Sequence, residues 1–524
     1  MLKLPINLAQ ESISENGDRN AFRNLCLLAL AGLIIRLIFA LNSENTHRPD
    51  EIYQFLEPAH RLVFGYGFVT WEYRFGARSW LIPFFVSGPL FLCKFLHCDS
   101  PTIYVPFIKS IFCLLSVSVI FSSYFIGKKL VSEKAGLLSA LFCTFWYELI
   151  YFSFRPLTDI LSTYLFLAAI VCLLYRDRKA APLAFGICSG LSLAIRLQLL
   201  PVTIFLLALA VVSFNRRQLL QGGAAFATVV LFAGLVDYLT WGQWFISYYN
   251  TVLFQWVYGV STIWGVQSPF YFVSSLIFNS VGVLPLALLS GCFFWRRFWI
   301  LIVLVFVEIG MHSLSPHKDY RYIFVTVPLM LIIFAGVIVL LTEKFDQGLR
   351  RVPTTVLPAI MLIISVLGIF NTLPGESEVY QHKPLFKSQD HKRAFLYLSQ
   401  LKDVKGLCVI SDATPWYDAG GFYYLHQNVP VYFMGRVSDI VEVSGVTNYW
   451  LCKKGDQKLL GFEPVAEIGT LSLRRESVIP KRIPGLPELP PYSTHILQRG
   501  IDNKYKPNVQ PFLPSPFLAP PLEF

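Results

Sequence analysis

Four short stretches of this chain carry side chains suited to acid–base or ionic chemistry, each set against an apolar run. The first is His47-Arg48-Pro49-Asp50-Glu51-Ile52-Tyr53-Gln54, whose adjacent carboxylates, Asp50 and Glu51, can serve as a general base or bind a cation. A partly buried carboxylate among aromatic walls is tunable toward neutral pH. The same pattern also fits a proline-started helix whose first-turn acids only complement the helix dipole. In the second, Phe154-Arg155-Pro156-Leu157-Thr158-Asp159, the charges Arg155 and Asp159 either meet a substrate or neutralise each other. Arg196, the third, has apolar residues on both sides, a costly placement that calls for a partner, a pathway or a site. Densest in cations is Pro316-His317-Lys318-Asp319-Tyr320-Arg321-Tyr322. It reads either as a seat for an anion such as a lipid phosphate or as a headgroup anchor with Tyr320 and Tyr322 in an aromatic belt.

The chain has no P-loop, no dinucleotide-binding glycine fingerprint, no nucleophile elbow and no HExxH, so a soluble nucleotide donor is unsupported. A group already activated on a lipid phosphate needs none of these. Delivered from within a membrane, it would meet a carboxylate base and a cationic phosphate seat, which explains acids and bases together. Those cations can stabilise the leaving phosphate, so no cofactor and no metal is required. The ten cysteines include no CxxC pair and no Cys/His spacing for zinc. A transporter or lipid flippase is the rival class, but its charges belong at the bilayer midplane rather than at one edge.

The elements that must position these groups are membrane spans. At 54% hydrophobic and 15% charged, with positive mean hydropathy, the chain has a bilayer as its natural solvent. Its net charge of +11 falls in short clusters between apolar runs, which argues against nucleic-acid binding. No removable signal peptide is indicated before residue 22. Apolar runs near 22–41, 103–126, 135–153, 157–175, 183–213, 222–241, 270–292, 297–314, 321–341 and 355–371 are the span candidates. The run 79–97 is read as re-entrant or interfacial, because as a span it would put Lys128, Lys129 and Lys134 outside. The run 183–213 would make a helix of roughly 46 Å, so it is divided at Arg196 and Pro201 into two short antiparallel spans. Eleven spans and an external C-terminus follow, with the four polar stretches gathered on the outer face.

The domain reading is a cytoplasmic N-terminus over 1–21, a membrane module over 22–371 with an outer loop at 42–102, a small extracytoplasmic α/β domain over 372–479, and a proline-rich tail over 480–524. Strands are expected around Cys408–Ser411 and Val429–Phe433, with a helix start at Gly420-Gly421. Cys408 and Cys452 are open to a disulfide if this region lies outside the membrane.

At these residues the sequence resembles glycosyltransferase family 22, the polytopic mannosyltransferases of GPI-anchor and N-glycan precursor assembly. The most specific element is Arg48-Pro49-Asp50-Glu51-Ile52-Tyr53-Gln54, continued by Glu57, Ala59-His60, Phe64-Gly65-Tyr66-Gly67, Thr70-Trp71-Glu72-Tyr73 and Arg78-Ser79. His317-Lys318-Asp319-Tyr320-Arg321-Tyr322 is similar to the family's His-Lys-Glu-x-Arg-Phe motif, with Asp for Glu and Tyr for Phe. Within the family it looks most like the subgroup that adds the third mannose in GPI assembly and its bacterial relatives. One run departs from the family's Tyr-Gly-x-x-Pro-Trp pattern, Trp264-Gly265-Val266-Gln267-Ser268-Pro269-Phe270-Tyr271-Phe272, which bears on sugar or acceptor preference.

The resemblance implies a GT-C type fold, mostly α and polytopic, and a polyprenyl-phosphate mannose donor such as dolichyl-phosphate mannose. It further implies inverting transfer to a glycolipid or glycan hydroxyl, giving an α-mannoside. Asp50 would be the base with Glu51 in reserve. His317, Lys318 and Arg321 would hold the donor phosphate, with Arg196 as an added contact, and Arg155, Asp159, Gln54 and Gln267 would touch substrate. Other polyprenyl-phosphate sugars remain alternatives. The working face would be the ER lumen or the periplasmic side of a bacterial inner membrane.

Overall fold

The apolar runs fold as helices that stop where charge or glycine interrupts them. The computed structural model describes residues 15–344, 356–369, 389–410, 420–434, 447–454 and 462–476, which form two compact units. The proline-rich tail lies outside the described residues.

The first unit comprises the described residues within 15–42, 109–238 and 252–369. Among the described residues, three helices are long and apolar enough to cross a bilayer: Arg19–Asn42, Pro101–Leu130 and Arg216–Trp241. In the first of these, α1 (Glu15–Asn42), Leu27, Leu30, Ile34, Ile38 and Leu41 are all exposed, at spacings of three and four. Such a stripe suits lipid contact and would be a liability in water. Further apolar helices are α2 (Thr158–Leu174), α3 (Ala181–Ile195), α4 (Leu200–Ser213) and α5 (Thr326–Thr342). In α5 every residue from Thr326 to Val339 is buried, as expected of a helix apolar on all sides. It packs on Ser118–Leu130, Glu133–Phe145, Val283–Phe293 and Trp295–Ser313, so the core of this unit lies around it.

The run 183–213 is broken at Arg196. Helix α3 ends at Arg196, which is extended at φ −142° and ψ 98°, and a 3-10 turn, Leu197–Leu199, leads into α4. Two other runs break where a single span was expected. In 270–292 the helices Tyr271–Ser280 and Val283–Phe293 meet at 105°, because Val281 and Gly282 both take left-handed backbone angles, φ 51° and 78°. A β-branched residue is strained there. The run 135–153 breaks at Trp146, whose ψ of 122° ends the helix Glu133–Phe145.

The second unit comprises Ser43–Ile108, Leu239–Thr251 and the described chain from Gln389. It holds the helices α6 (Glu57–Phe64), Leu81–Phe95, α7 (Asp390–Leu398) and α8 (Gly421–Leu425), the last starting where the glycine pair predicts. Its sheet has the order β2-β1-β3-β5-β4, with β1 (Leu407–Ile410) parallel to β2 (Val431–Met434) and to β3 (Tyr449–Lys453). Strands β4 (Phe462–Ile468) and β5 (Leu471–Glu476) complete it as an antiparallel pair. All four residues of β1 are buried, the mark of an inner parallel strand covered on both faces. Cys408 and Cys452 are buried thiols rather than a disulfide. Burial pushes the Cys408 thiol up, and Cys452 Sγ donates to Ser472 O at 3.7 Å.

Candidate active site

The cationic residues come together in the first unit because two helix ends and one short loop converge. Arg196 sits on the break after α3, and Asp159 lies in the first turn of α2, where its charge favours the positive helix end. The two form an ion pair, with Arg196 only 6% exposed. Arg321 Nε stands 3.9 Å from Asp159 Oδ2 and 3.5 Å from Asp319 Oδ2. Asp319 also accepts from Arg321 N at 3.2 Å, capping the 3-10 turn Tyr320–Ile323. The carboxylate of Asp159 is therefore used by Arg196 and Arg321. Arg155 lies instead over the rings of Tyr151 and Phe154, at 4.1 and 4.9 Å, with Nε donating to Tyr151 O at 3.1 Å.

The ring of Tyr322 is the hub of the cluster. The guanidinium groups of Arg196 and Arg321 stand 5.2 and 5.6 Å from its centroid, within cation–π range. The rings of His312 and His317 are 6.2 and 6.1 Å from it. Below the hub, Tyr320 donates to Glu148 Oε1 at 2.8 Å, and Glu148 also accepts from Tyr147 at 3.1 Å and from Trp146 Nε1 at 2.9 Å. Tyr147 shares its one proton with Asn279 O at 2.5 Å, so the bonds from Tyr320 and Trp146 are the ones that hold this buried carboxylate to the segment that bears Arg321. The neighbouring loop is tied through its backbone. Lys318 Nζ donates to Gln267 O at 3.2 Å and Ser315 O at 2.5 Å, Gln267 N donates to Pro316 O at 2.9 Å, and His317 Nδ1 donates to Gly265 O at 3.1 Å. An ammonium has three N–H groups, so Lys318 keeps one beyond these two carbonyls.

The acidic loop belongs to the second unit. Pro49 O accepts from Ile52 N at 3.0 Å and Tyr53 N at 2.9 Å, starting a π-helical turn over Glu51–Leu56, a form frequent at functional sites. Glu51 is buried, and its Oε1 accepts from His47 N at 2.6 Å, so it closes the turn. Asp50, at the head of the turn, is half-buried. Gln54 Nε2 donates to Glu72 Oε1 at 2.9 Å, and Gln54 O accepts from Tyr73 at 2.7 Å, so Gln54 is engaged in holding Glu72. Burial pushes the Glu72 carboxyl above its usual range, Arg78 pulls it back, and the nearby charge of Asp50 adds to the push.

The remainder of the loop is held by the chain after residue 389. Glu57 accepts from Phe68 N at 2.8 Å, Phe422 N at 3.1 Å and Tyr423 N at 2.8 Å, and burial pushes its carboxyl up to about 7. His60 Nε2 and His426 Nδ1 are 3.0 Å apart; burial and then His426 hold His60 well below the usual imidazole range. On the other side, Arg393 pairs with Glu44 at 2.6 Å, Lys392 Nζ donates to Glu44 O at 3.0 Å, and Thr46 donates to Gln389 at 3.1 Å.

Sequence reasoning named Arg196, Asp159, His317, Lys318 and Arg321, which the structure groups, but did not single out Glu308 and His312. The rule that exposed Arg196, a charge inside an apolar run, applies equally to Glu308 within 297–314.

A family model described as the Alg9-like mannosyltransferase family matches residues 27–426. The chain belongs to this family. This mannosyltransferase is 25% identical over 435 residues to GPI mannosyltransferase 3 of Yarrowia lipolytica, covering 76% of this chain and 75% of that one. The GPI mannosyltransferase 3 of Drosophila melanogaster is 23% identical over 423 residues, covering 77% and 70%. Among solved structures, ArnT from Cupriavidus metallidurans bound to undecaprenyl phosphate superposes with a TM-score of 0.56 at 10% identity, over 88% of this chain and 99% of that one. The fold is thus that of a multi-pass membrane glycosyltransferase, mostly helical with a small C-terminal sheet, and both main motifs lie inside the matched range.

Proposed function

We propose that this mannosyltransferase takes mannose from a polyprenyl phosphate and gives it to a glycolipid or glycan hydroxyl in one inverting step. The acceptor oxygen attacks the anomeric carbon, the bond from that carbon to the phosphate oxygen breaks, and the polyprenyl phosphate departs with the electron pair. Asp50 takes the acceptor proton; Glu51, spent on the His47 amide, holds the loop. Arg196, Arg321, His317 and Lys318 bind the phosphate and stabilise the charge that grows on it. With a β-linked donor the product is an α-mannoside.

The observation that carries this reading is the enclosed cationic hub at Tyr322. Arg196 is nearly buried, yet its Nε makes no hydrogen bond among the described residues, so a donor stands ready for a phosphate oxygen. The fold shared with ArnT, which binds undecaprenyl phosphate, supports a polyprenyl phosphate as carrier. The acidic loop and the 316–322 segment face the ER lumen or the periplasm in this proposal, with Lys128, Lys129, Arg216 and Arg217 in the cytoplasm. Incubating purified protein with a panel of labelled polyprenyl-phosphate sugars and identifying the glycosylated lipid is the test. Mannose transfer is expected, and turnover of only another sugar would overturn the donor assignment.

A further inference from the structure

The phosphate reading leaves two buried polar residues beside the hub unused. Glu308 and His312 lie on the helix Trp295–Ser313, four residues apart and so on one face. Glu308 is 1% exposed, yet neither of its carboxylate oxygens accepts a hydrogen bond among the described residues. His312 Nδ1 donates to Glu308 O at 3.0 Å and stands 3.5 Å from Glu308 Oε1. In a neutral imidazole this leaves Nε2 as an acceptor, and Nε2 is buried without a hydrogen bond. Arg196 is a charged neighbour of both residues, and Asp159 of Glu308. The rings of Phe272 and Tyr322 flank the imidazole at 6.3 and 6.2 Å.

Burying polar atoms without partners is costly, and where it occurs a ligand is a natural recipient. With Glu308 ionised and His312 neutral, the unpartnered atoms of both are acceptors. They call for a ligand rich in donors and would repel a second anion, while the aromatic walls suit the C–H face of a sugar ring. Their position next to the phosphate-binding arginines fits the sugar that the phosphate carries.

We infer that Glu308 and His312 form the seat of the transferred hexose, with Glu308 accepting from two of its hydroxyls and His312 Nε2 from a third. The inference rests on the assignment of Arg196 and Arg321 to the donor phosphate. These two residues then set which sugar is transferred, because a site built to bond a hydroxyl rejects the analogue lacking it by orders of magnitude.

The test compares kcat/KM for polyprenyl-phosphate mannose with that for its 2-, 3-, 4- and 6-deoxy analogues, in wild type, Glu308→Gln, His312→Gln and Arg321→Ala. Wild type should reject at least one deoxy donor by about 100-fold or more, falling below about 10-fold in Glu308→Gln, while Arg321→Ala weakens all donors together and keeps the ratio. A ratio does not depend on the fraction of active protein, so partial misfolding leaves it readable. If Glu308→Gln turns over nothing, binding decides: it should match wild type for sugar-free polyprenyl phosphate and lose the added affinity of the mannosylated lipid. Unchanged discrimination in Glu308→Gln overturns the inference. Absence of mannose transfer by wild type instead overturns the donor assignment beneath it.

Discussion

Asp50 and Glu51 are neighbours of the same chemical kind, and local bonding separates their roles. Glu51 is committed to the His47 amide and buried, whereas Asp50 is half-buried beside Glu72. Asp50→Asn should therefore lower kcat by about 10²–10⁴-fold with little change in unfolding temperature, as loss of a general base does. Turnover within a few-fold of wild type would remove Asp50 from the reaction. Arg196→Ala or Arg321→Ala should raise the KM for donor by about 10–100-fold and leave the KM for acceptor unchanged, measured by varying each substrate separately. Much of this cluster was legible in the sequence, because a charge in an apolar run announces itself, as Arg196 does, and because His317, Lys318 and Arg321 stand close together. The partner of Asp159 was not. Arg155 is four residues away along the chain, but the carboxylate pairs with Arg196 and Arg321, from other elements.

At the scale of elements, the acidic loop is held by backbone groups more than 360 residues away in sequence, a link no local pattern can display. Glu57 makes that link, and its titration gives it a signature. Its folded value, about 7, is above the ordinary 4.5, so its proton stabilises the fold fully below about pH 4.5, and that contribution is lost as pH rises through about 7. The difference is on the order of 3 kcal/mol. In detergent, wild type should lose this stability between pH 4.5 and 7 while Glu57→Gln does not; parallel curves of unfolding temperature against pH would contradict the assignment. The reverse titration of His60 is common to both proteins and cancels. Within the first unit, a Cβ on Gly186 would collide with Gly222 O of the helix Arg216–Trp241. Gly186→Ala should thus destabilise by about 1–3 kcal/mol, read as a lower unfolding temperature. Helix existence followed from the apolar runs, and the break at Arg196 from the excessive length of the run it interrupts. The bend at Val281-Gly282 did not, since an apolar residue carries the left-handed angle there and nothing in its chemistry signals a stop.

For the whole molecule, composition and charge clustering identified a polytopic membrane protein, and the family match and the shared fold agree. In a bacterial host, the sense of insertion in the proposed function predicts that alkaline phosphatase fused after Phe524 is active in the periplasm and that a green fluorescent protein fused there stays dark. The opposite pattern would invert the placement of both motifs. The central claim, however, is stereochemical: a single displacement at the anomeric carbon with Asp50 as base. It is tested most directly by giving purified protein a β-linked polyprenyl-phosphate mannose and reading the anomeric configuration of the new linkage by NMR. An α-mannoside is expected from wild type, formed about 10²–10⁴-fold more slowly by Asp50→Asn; a β-mannoside, or an α-mannoside formed equally fast without Asp50, would contradict the assignment.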